Sequence, residues 1–484
     1  MGHSRALVHS PSAVRRAARG ESGEAVRRLA ERALSRAAGA PLVAGNAIEL
    51  LIDADANYAA WLRAIAGARR RILLENYIIR DDDIGRGFRD ALIERAHAGI
   101  EVCVIYDWLG CLGQSRGKFW QPLRDAGGSV RVYNPLQLHN PFGWFSRDHR
   151  KLLVVDRDIA FIGGLCISAK WLGDPAHDLA PWRDSAVSLR GPALLECERA
   201  FGEVWEQLGA ALGKSGDPVP AECGNVDLRV IATQPDTAGI FRLDQLIAGL
   251  ASRSLWLADA YFVGVSPYVQ ALKAAAKDGV DVRLLVPGAS DVPIVRNISL
   301  SSYRPLLEAG IRVFEWNGSM MHAKTAVADS RWARVGSSNL NVASWIGNCE
   351  LDVAVENVEF AACLEAQYLR DLEGATEIVL TRPRRPRAAR RPFVKAGRGS
   401  ASRAAAGALR LAHSMGAAFG SQRVLERSDG VLLPWFIGTL IVVASVAIVW
   451  PRFLAWPLAA FCAWIAIGLS IRYARIRRAP AATK

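Results

Sequence analysis

The chain has 484 residues and a formal net charge of +13 at pH 7. This length allows two or three domains with full cores, and the charge indicates an anionic partner. The positive charge lies at the ends: residues 381–484 hold eighteen Lys and Arg against two Asp and Glu, and residues 1–40 hold eight against three. Residues 41–380 therefore carry −8. Since a DNA-binding core is usually basic where it binds, this distribution favours an anionic membrane surface as the partner over a nucleic-acid groove.

Residues 1–40 form a basic segment rich in Ala and Arg. Its helical spacing indicates either a helix that lies on anionic lipid or a solvated arm. After it, residues 41–213 alternate strand-like and helix-like stretches, which predicts a first α/β domain. The predicted elements are strands Ile48–Ile52, Arg71–Ile79 and Glu101–Tyr106 and a helix over Gly87–Ala98.

A linker rich in Gly and Pro, Gly213–Gly224, separates this region from a second one of the same pattern over residues 225–380. The shared order predicts a duplicated α/β unit with two lobes. The predicted elements of the second domain are strands Asp227–Ala232, Ser254–Tyr261, Val282–Val286 and Arg312–Glu315, a helix over Pro267–Lys277 and a helix that ends at Leu306–Ala309.

One short motif occurs in both halves. His149-Arg-Lys151-Leu-Leu-Val-Val-Asp156 and His322-Ala-Lys324-Thr-Ala-Val-Ala-Asp329 both read H-x-K-x₄-D, 173 residues apart. A Gly-containing tag follows each Asp, Gly163-Gly164-Leu-Cys166 in the first half and Gly336-Ser337-Ser-Asn339 in the second. A single His on an apolar strand is usually structural, but two tagged copies predict a site.

The six motif residues are our candidate catalytic set: His149, Lys151, Asp156, His322, Lys324 and Asp329. His and Lys two apart on a strand face the same side, so two imidazoles and two ammonium groups would surround one phosphodiester. One neutral imidazole attacks phosphorus, and the other, protonated, expels the alcohol. Asp lies an odd number of residues from His, so we expect both Asp to face away and hold neighbouring groups. This scheme needs no metal and no cofactor.

The eight cysteines show neither a C-x-x-C pair nor zinc-site spacing. They are scattered among apolar residues, which is typical of reduced, buried thiols in a cytosolic compartment. We therefore expect no disulfide framework and no structural zinc site.

The C-terminal region predicts a membrane anchor. Residues 381–428 form a basic linker that begins with a Pro/Arg run, and residues 431–471 hold two uncharged stretches, Val431–Trp450 and Phe453–Ile471. Each is long enough to span a bilayer, so together they predict a transmembrane hairpin, with a buried hairpin of a soluble domain as the alternative. Arg residues precede the pair and also occur in the tail, residues 472–484. By the positive-inside rule we expect both flanks and the catalytic body on the cytoplasmic side of the membrane.

These motifs resemble the phospholipase D superfamily, and residues 41–380 resemble its bacterial cardiolipin synthase branch, the B-type in particular. The stretches that carry the resemblance are Glu75-Asn-Tyr-Ile78, His149–Asp156 with Ala160–Gly164, Ala260-Tyr-Phe262, and Met321–Lys324 with Val335–Leu340. The family usually has Asn where this chain has Cys166; Asn339 keeps it in the second half.

The resemblance implies two α/β lobes with the active site at their interface. It implies His149 as nucleophile and His322 as general acid. It further implies that a carboxylate downstream of each motif, Asp184 in the first half and Glu350 in the second, orients the histidine of its own motif. Ser337 and Asn339 are expected to support the site.

The resemblance implies a cardiolipin synthase that transfers a phosphatidyl group from one phosphatidylglycerol to another through a phosphohistidine and releases glycerol. Phosphatidylethanolamine as donor and phospholipase D hydrolysis to phosphatidic acid are open alternatives, because they use the same residues. A nuclease of the superfamily is disfavoured by the acidic middle region and the predicted anchor. A membrane scaffold is disfavoured by the two intact motifs.

Overall fold

The computed structural model describes residues 29–380, with gaps at 116, 136–145, 175–179, 214–217, 236, 290 and 292, and five residues between 456 and 464. Contacts group residues 1–133 and 146–381 into one compact unit and residues 134–145 and 382–484 into another. The predicted linker, hairpin and tail thus lie almost wholly outside the described residues. Within the described part of the chain, no helix has the length and apolar character needed to cross a membrane.

The described chain opens with helical residues 29–38, and its first half then forms seven strands and four further α-helices. They are β1 Val43–Ile52, α1 Asp53–Gly67, β2 Arg71–Asn76, α2 Asp83–His97, β3 Glu101–Asp107, α3 Gly117–Asp125, β4 Ser129–Tyr133, β5 Lys151–Val155, β6 Ile159–Gly163, β7 Ser185–Arg190 and α4 Leu194–Gln207. A short 3₁₀ turn, Ala169–Trp171, follows β6.

The second half repeats this order and adds one strand. Its elements are β8 Val226–Thr233, α5 Gly239–Leu250, β9 Ser254–Ala258, α6 Ser266–Lys277, β10 Asp281–Pro287, α7 Pro293–Glu308, β11 Arg312–Trp316, β12 Thr325–Ala328, β13 Trp332–Gly336, β14 Glu350–Glu356, α8 Val358–Glu373 and β15 Ala375–Ile378. A π-helical turn, Ala343–Gly347, follows β13 at the place of the 3₁₀ turn in the first half.

The strand order runs β15-β11-β10-β9-β12-β13-β14-β8-β1-β7-β6-β5-β2-β3-β4. The two halves meet where β1 pairs with β8 in antiparallel register. Counted outward from this junction, the equivalent strands of the two halves follow in the same order. In each half three strands are parallel, β2–β3–β4 and β9–β10–β11, and the motif strand pairs antiparallel with the first of them. The predicted duplicated α/β fold is confirmed by this repeated topology.

A shared hydrophobic core joins the halves. It contains apolar side chains of strands from both halves together with α4, through residues such as Phe201, and α8, through residues such as Leu364. Two further clusters cover the other faces, one with α1–α3 and one with α5–α7. Each half-sheet is thus covered on both sides, which is why the motif strands read as unbroken apolar runs. Burying one such side chain stabilises the fold by about 1.5–3 kcal/mol.

Two predicted strands end earlier than expected. β2 was predicted to reach Ile79 and β9 to reach Tyr261, but they end at Asn76 and Ala258. The reason is local hydrogen bonding: Asn76 Oδ1 accepts the N–H of Ile78, and Asp259 accepts those of Tyr261 and Leu340. Asn and Asp side chains compete in this way with the strand ladder. The chain therefore leaves the sheet just before a tyrosine in each half.

Candidate active site

Both motif histidines lie in extended segments that cross to the other half of the molecule. The N–H of His149 donates to the carbonyl of Cys349 at 2.9 Å, and the N–H of His322 donates to the carbonyl of Arg183 at 2.7 Å. β5 and β12 begin only after the histidines. The predicted position of each His on the motif strand itself is therefore wrong, because the residues before the strand pair with the opposite half.

The carboxylates that orient the histidines also come from the opposite half. His149 Nδ1 lies 2.9 Å from Glu350 Oε2, and His322 Nδ1 lies 2.7 Å from Asp184 Oδ2. The expectation that each carboxylate serves the His of its own motif is wrong: the two partners are exchanged. The residue before each carboxylate forms a parallel bridge with the residue before the other half's histidine, which brings the exchanged pairs together.

Each carboxylate has further donors that hold it in place. Glu350 accepts from Ser337 Oγ at 2.5 Å and from Asn348 Nδ2 at 3.2 Å. Asp184 accepts from Trp171 Nε1 at 2.9 Å. Ser337 was expected beside the site from sequence, whereas Asn348 and Trp171 were missed. Nothing in the repeat could indicate them, because their equivalent positions in the other half hold different residue types.

The tag glycines allow close packing behind the carboxylates. A Cβ on Gly164 would lie 2.1 Å from Asp184 Oδ1, and a Cβ on Gly336 would lie 2.2 Å from Asp352 Oδ1. Such distances leave no room for a side chain. The tag glycines therefore provide close backbone packing near the site.

The two lysines lie beside their own histidines, as predicted. Lys151 Nζ donates to the carbonyl of His149, and Lys324 Nζ donates to the carbonyl of His322. Lys324 Nζ is also 3.0 Å from His322 Nδ1. Because that Nδ1–H is already donated to Asp184, the carbonyl is the acceptor that Lys324 uses. Both ammonium groups are buried.

The motif aspartates lie at the far end of the motif strands, in the turns that follow. Asp156 accepts the N–H groups of residues 69–71, and Asp329 accepts those of residues 252–254. Both have positive φ, 54° and 52°, a conformation that Asp tolerates better than most residues. Neither aspartate lines the cavity that holds the two histidines, and the expectation that they hold neighbouring backbone is confirmed.

His149 and His322 line one cavity of about 550 Å³. This cavity lies between the first and the second half of the chain, and residues of both halves line it. The first half contributes Tyr77, Ile78, Arg80, His149, Cys166, Lys170, Trp171 and Trp182, and the second half contributes Tyr261, Val263, Asp291, His322, Asn339, Asn341, Val342, Ala343, Ser344 and Asn348.

Aromatic rings surround both imidazoles. The ring centroid of Tyr77 is 4.8 Å from that of His149, and that of Tyr261 is 5.9 Å from that of His322. Trp182 lies 5.6 Å from His322 on the same measure. We did not assign these side chains to the site from sequence, although Tyr77 and Tyr261 were in stretches that carried the resemblance. The recurrence of a tyrosine within three residues after β2 and after β9 was the available signal.

Asn339 and Cys166 occupy equivalent places in the cavity wall. Asn339 is buried, and its Oδ1 has no hydrogen-bond partner among the described residues. Burial raises the pKa of the Cys166 thiol, so this side chain is neutral. The expected difference between the halves is therefore present in the wall: an amide on one side and a small apolar thiol on the other.

Burial sets the protonation of the histidines. It lowers the pKa of His322 to about 4, with Lys324 adding to the effect and Asp184 opposing it. The pKa of His149 is lowered by the same cause, although Glu350 opposes it. Burial would raise the pKa of each carboxylate, but the imidazole and ammonium neighbours hold both below their usual values. Each site thus pairs a carboxylate with a neutral imidazole whose Nδ1–H is donated, which leaves Nε2 to react.

The pKa of Lys324 is lowered to about 8, mainly by burial, while Asp184 opposes the shift. An ammonium in a buried site is poised to be stabilised by an incoming anion. The cavity is therefore lined by the imidazoles of His149 and His322, and a buried ammonium group lies next to each of them in the chain. This arrangement suits an in-line displacement at a phosphodiester.

Comparison with known proteins agrees with this geometry. A family model described as "Cardiolipin synthase, PLD-like domain" matches residues 61–177 and 245–372. The cardiolipin synthase of Alkalihalophilus pseudofirmus is 33% identical over 347 residues, which cover 70% of this chain and 68% of that protein. Cardiolipin synthase A of Pseudomonas aeruginosa is 32% identical over 355 residues, 72% of each chain. Neither of these two relatives is named as a B-type cardiolipin synthase. The resemblance to the B-type therefore stays a prediction.

The fold is similar to that of a solved protein as well. The phosphatidylserine synthase of Haemophilus influenzae superposes with a TM-score of 0.54 and 14% identity, covering 72% of this chain and 91% of that chain. At this identity the likeness concerns the fold alone. The matched family model and the sequence relatives go further, and both motifs lie inside the matched residues. The chain belongs to the cardiolipin synthase family with a phospholipase D-like domain.

Proposed function

We propose that this protein is a phosphatidyltransferase that makes cardiolipin from two molecules of phosphatidylglycerol and releases glycerol. One observation carries the proposal: the histidines of both motifs line one cavity, each oriented by a carboxylate of the opposite half. The names of the sequence relatives supply the substrate class.

In the first step, Nε2 of His149 attacks the phosphorus of one phosphatidylglycerol. The new N–P bond forms as the bond from phosphorus to the glycerol oxygen breaks, and His322 gives its proton to that oxygen. Lys151 and Lys324 neutralise the phosphoryl oxygens as charge builds up on them. The neutral His322 of the free site takes up a proton when the phosphate anion arrives, because a nearby negative charge favours the imidazolium.

In the second step, His322 accepts the proton of a hydroxyl group on the second phosphatidylglycerol. The hydroxyl oxygen attacks phosphorus, the N–P bond breaks, and His149 regains its neutral form. Water in place of that hydroxyl gives phosphatidic acid. The ratio of transfer to hydrolysis therefore depends on how well the cavity holds the second lipid against water.

Residues 431–471 would anchor the protein as a two-helix hairpin in the inner membrane, with residues 41–213 and 225–380 as two catalytic domains on the cytoplasmic side. The basic linker 381–428 would lie against the anionic leaflet. The charge distribution and the two apolar stretches of the sequence support this arrangement.

The test is to incubate the purified full-length protein with phosphatidylglycerol vesicles and analyse the lipids. Cardiolipin together with glycerol supports the proposal, and H149A and H322A should each form neither. Phosphatidic acid alone would indicate hydrolysis instead. A requirement for phosphatidylethanolamine in the vesicles would indicate the other donor, and DNA cleavage without lipid turnover would contradict the proposal altogether.

A further inference from the structure

The two walls of the cavity differ in charge although the fold repeats. Lys170, in the turn after β6, lines the wall of the first half, and so does Arg80, in the segment after β2. Counted from the motifs, the position equivalent to Lys170 is Ala343, which also lines the cavity. The corresponding segment after β9 contributes Val263 to the cavity. Two cations on one wall thus correspond to two uncharged residues on the other.

The second-half wall carries an acid and amides instead. Asp291 accepts a hydrogen bond from the hydroxyl of Tyr261 at 2.6 Å, and Asn341 and Asn339 lie nearby in the wall. An anion in the cavity is therefore attracted to the first-half wall and repelled by Asp291. The reacting phosphate needs neither Arg80 nor Lys170, because Lys151 and Lys324 already serve it.

The contacts of Lys170 show on which side of the reacting centre it lies. Its Nζ is 5.8 Å from the ring centroid of Trp182, and that ring is 5.6 Å from the ring of His322. The cation is therefore on the side of the general acid. An in-line displacement at His149 places the leaving glycerol, and later the attacking hydroxyl, on this same side.

Arg80 offers a donor that its own surroundings leave unused. Its Nε is buried and has no hydrogen-bond partner among the described residues, and a buried donor of this kind is costly unless a ligand satisfies it. The backbone N–H of Arg80 donates to the carbonyl of Ile167 at 3.0 Å. This bond holds the segment that carries Arg80 next to the chain that leads to Lys170.

We propose that Lys170 and Arg80 form the binding site for the second phosphate, the non-reacting phosphodiester of the acceptor lipid. This inference rests on the proposed function, in which the attacking hydroxyl is one glycerol unit away from a phosphate. When the phosphatidyl group is on His149, the cavity must hold that second anion beside His322. Water and free glycerol carry no such charge, so this pair of cations selects a lipid acceptor over both.

The experiment measures two transfers at once. Full-length protein is mixed with phosphatidylglycerol vesicles and labelled free glycerol, so that the phosphatidyl enzyme partitions between cardiolipin and labelled phosphatidylglycerol. Only the first product uses an acceptor with a phosphate. Lys170→Ala should lower the ratio of cardiolipin to labelled phosphatidylglycerol by about ten- to a hundredfold, the usual effect of losing a charge-assisted hydrogen bond. Arg80→Gln should lower it as well.

Two variants serve as controls. Lys170→Arg keeps the charge and should keep most of the ratio of cardiolipin to labelled phosphatidylglycerol. Lys277→Ala removes an exposed lysine of α6 that does not line the cavity, and it should leave this ratio as in the wild type. A Lys170→Ala protein whose two products fall in the same proportion, or do not fall, overturns the inference. Wild-type protein that makes no cardiolipin overturns the proposed function instead, so the two failures are distinct.

Discussion

At the level of single residues, the active site depends on two exchanged pairs, His149 with Glu350 and His322 with Asp184. Each carboxylate fixes the imidazole tautomer, so that Nε2 is the nitrogen left without a carboxylate partner in both histidines. The exchange means that neither half contains a complete catalytic pair. Both halves must therefore fold together before either histidine is correctly oriented.

We predict that Glu350→Gln and Asp184→Asn each lower kcat by on the order of 10³-fold, because an amide cannot stabilise the imidazolium or fix the tautomer. In a rapid-quench single turnover, Glu350→Gln should slow the release of glycerol, since Glu350 serves the nucleophile. Glu359→Gln, an exposed change on α8, is the matched control. Wild-type kcat in Glu350→Gln would refute the exchanged pairing as a catalytic feature.

We also predict that substrate binding takes up protons. The free imidazoles have lowered pKa values, about 4 for His322, so both are neutral at pH 7, and a bound phosphate anion raises these pKa values. Lys324, with a pKa of about 8, is already mostly protonated at pH 7. Calorimetry with a non-hydrolysable phosphonate analogue, in buffers of different ionisation enthalpy, should give an uptake of up to about one proton at pH 7. His322→Asn should abolish most of it, and proton release on binding would contradict the assignment.

At the level of secondary structure, the two ends of each motif strand differ in what they hold. The histidine lies before β5 or β12 and lines the cavity, whereas the aspartate lies after the strand and accepts backbone hydrogen bonds. Burial acts to raise the pKa of Asp329, but hydrogen bonds from the backbone of residues 252–254 hold it below its usual value. A carboxylate with a lowered pKa stabilises the fold above the pKa of the unfolded chain, near 4, and this contribution is lost as the pH falls through the folded value.

We therefore expect Asp329→Asn, and likewise Asp156→Asn, to lower stability rather than catalysis. The loss of charge-assisted hydrogen bonds should cost about 1–3 kcal/mol, seen as a lower Tm in detergent at pH 7. For Asp329→Asn the difference from the wild type should shrink below about pH 4. The kcat of the folded protein should stay near that of the wild type. A loss of kcat as large as in His149→Ala would return the aspartates to the catalytic set.

At the level of the whole molecule, the acidic residues 41–380 contrast in charge with the basic C-terminal region. All residues of the cavity lie before residue 381, and the two apolar stretches lie after it. The proposed catalysis and the proposed membrane attachment thus belong to separate parts of the chain.

We predict that a protein ending at residue 380 leaves the membrane fraction and is recovered in the supernatant, whereas the full-length protein stays in the pellet after a carbonate wash. The truncated protein should keep activity on detergent-solubilised phosphatidylglycerol and lose much of it on vesicles, because the anchor raises the local concentration of lipid. Full-length His149→Ala, inactive but anchored, is the control. Truncated protein that remains in the washed pellet would show that other residues anchor it.

Much of the fold of this protein can be predicted from its sequence. The duplicated α/β fold was predicted from the repeated H-x-K-x₄-D, its tags and the alternation of apolar strands with helices. This was possible because hydrophobic periodicity and the glycines that end helices and form turns are local properties of the chain. The expectation that Asp156 and Asp329 hold neighbouring backbone is confirmed, but its reason differs: the histidines lie before the motif strands and the aspartates after them, so strand parity does not decide their positions. The aromatic and cationic wall of Trp171, Trp182 and Lys170 was not predicted, since it has no counterpart in the second half.

Only the tertiary structure decided which residues act together. Glu350 is 201 positions from His149 and Asp184 is 138 from His322, and no local pattern can state which of two equivalent carboxylates crosses to which histidine. That choice follows from how the halves join, through the pairing of β1 with β8 and a shared core. The charge difference between the cavity walls arises from different residue types at equivalent positions of the repeat, but only the joined halves place those residues around one cavity.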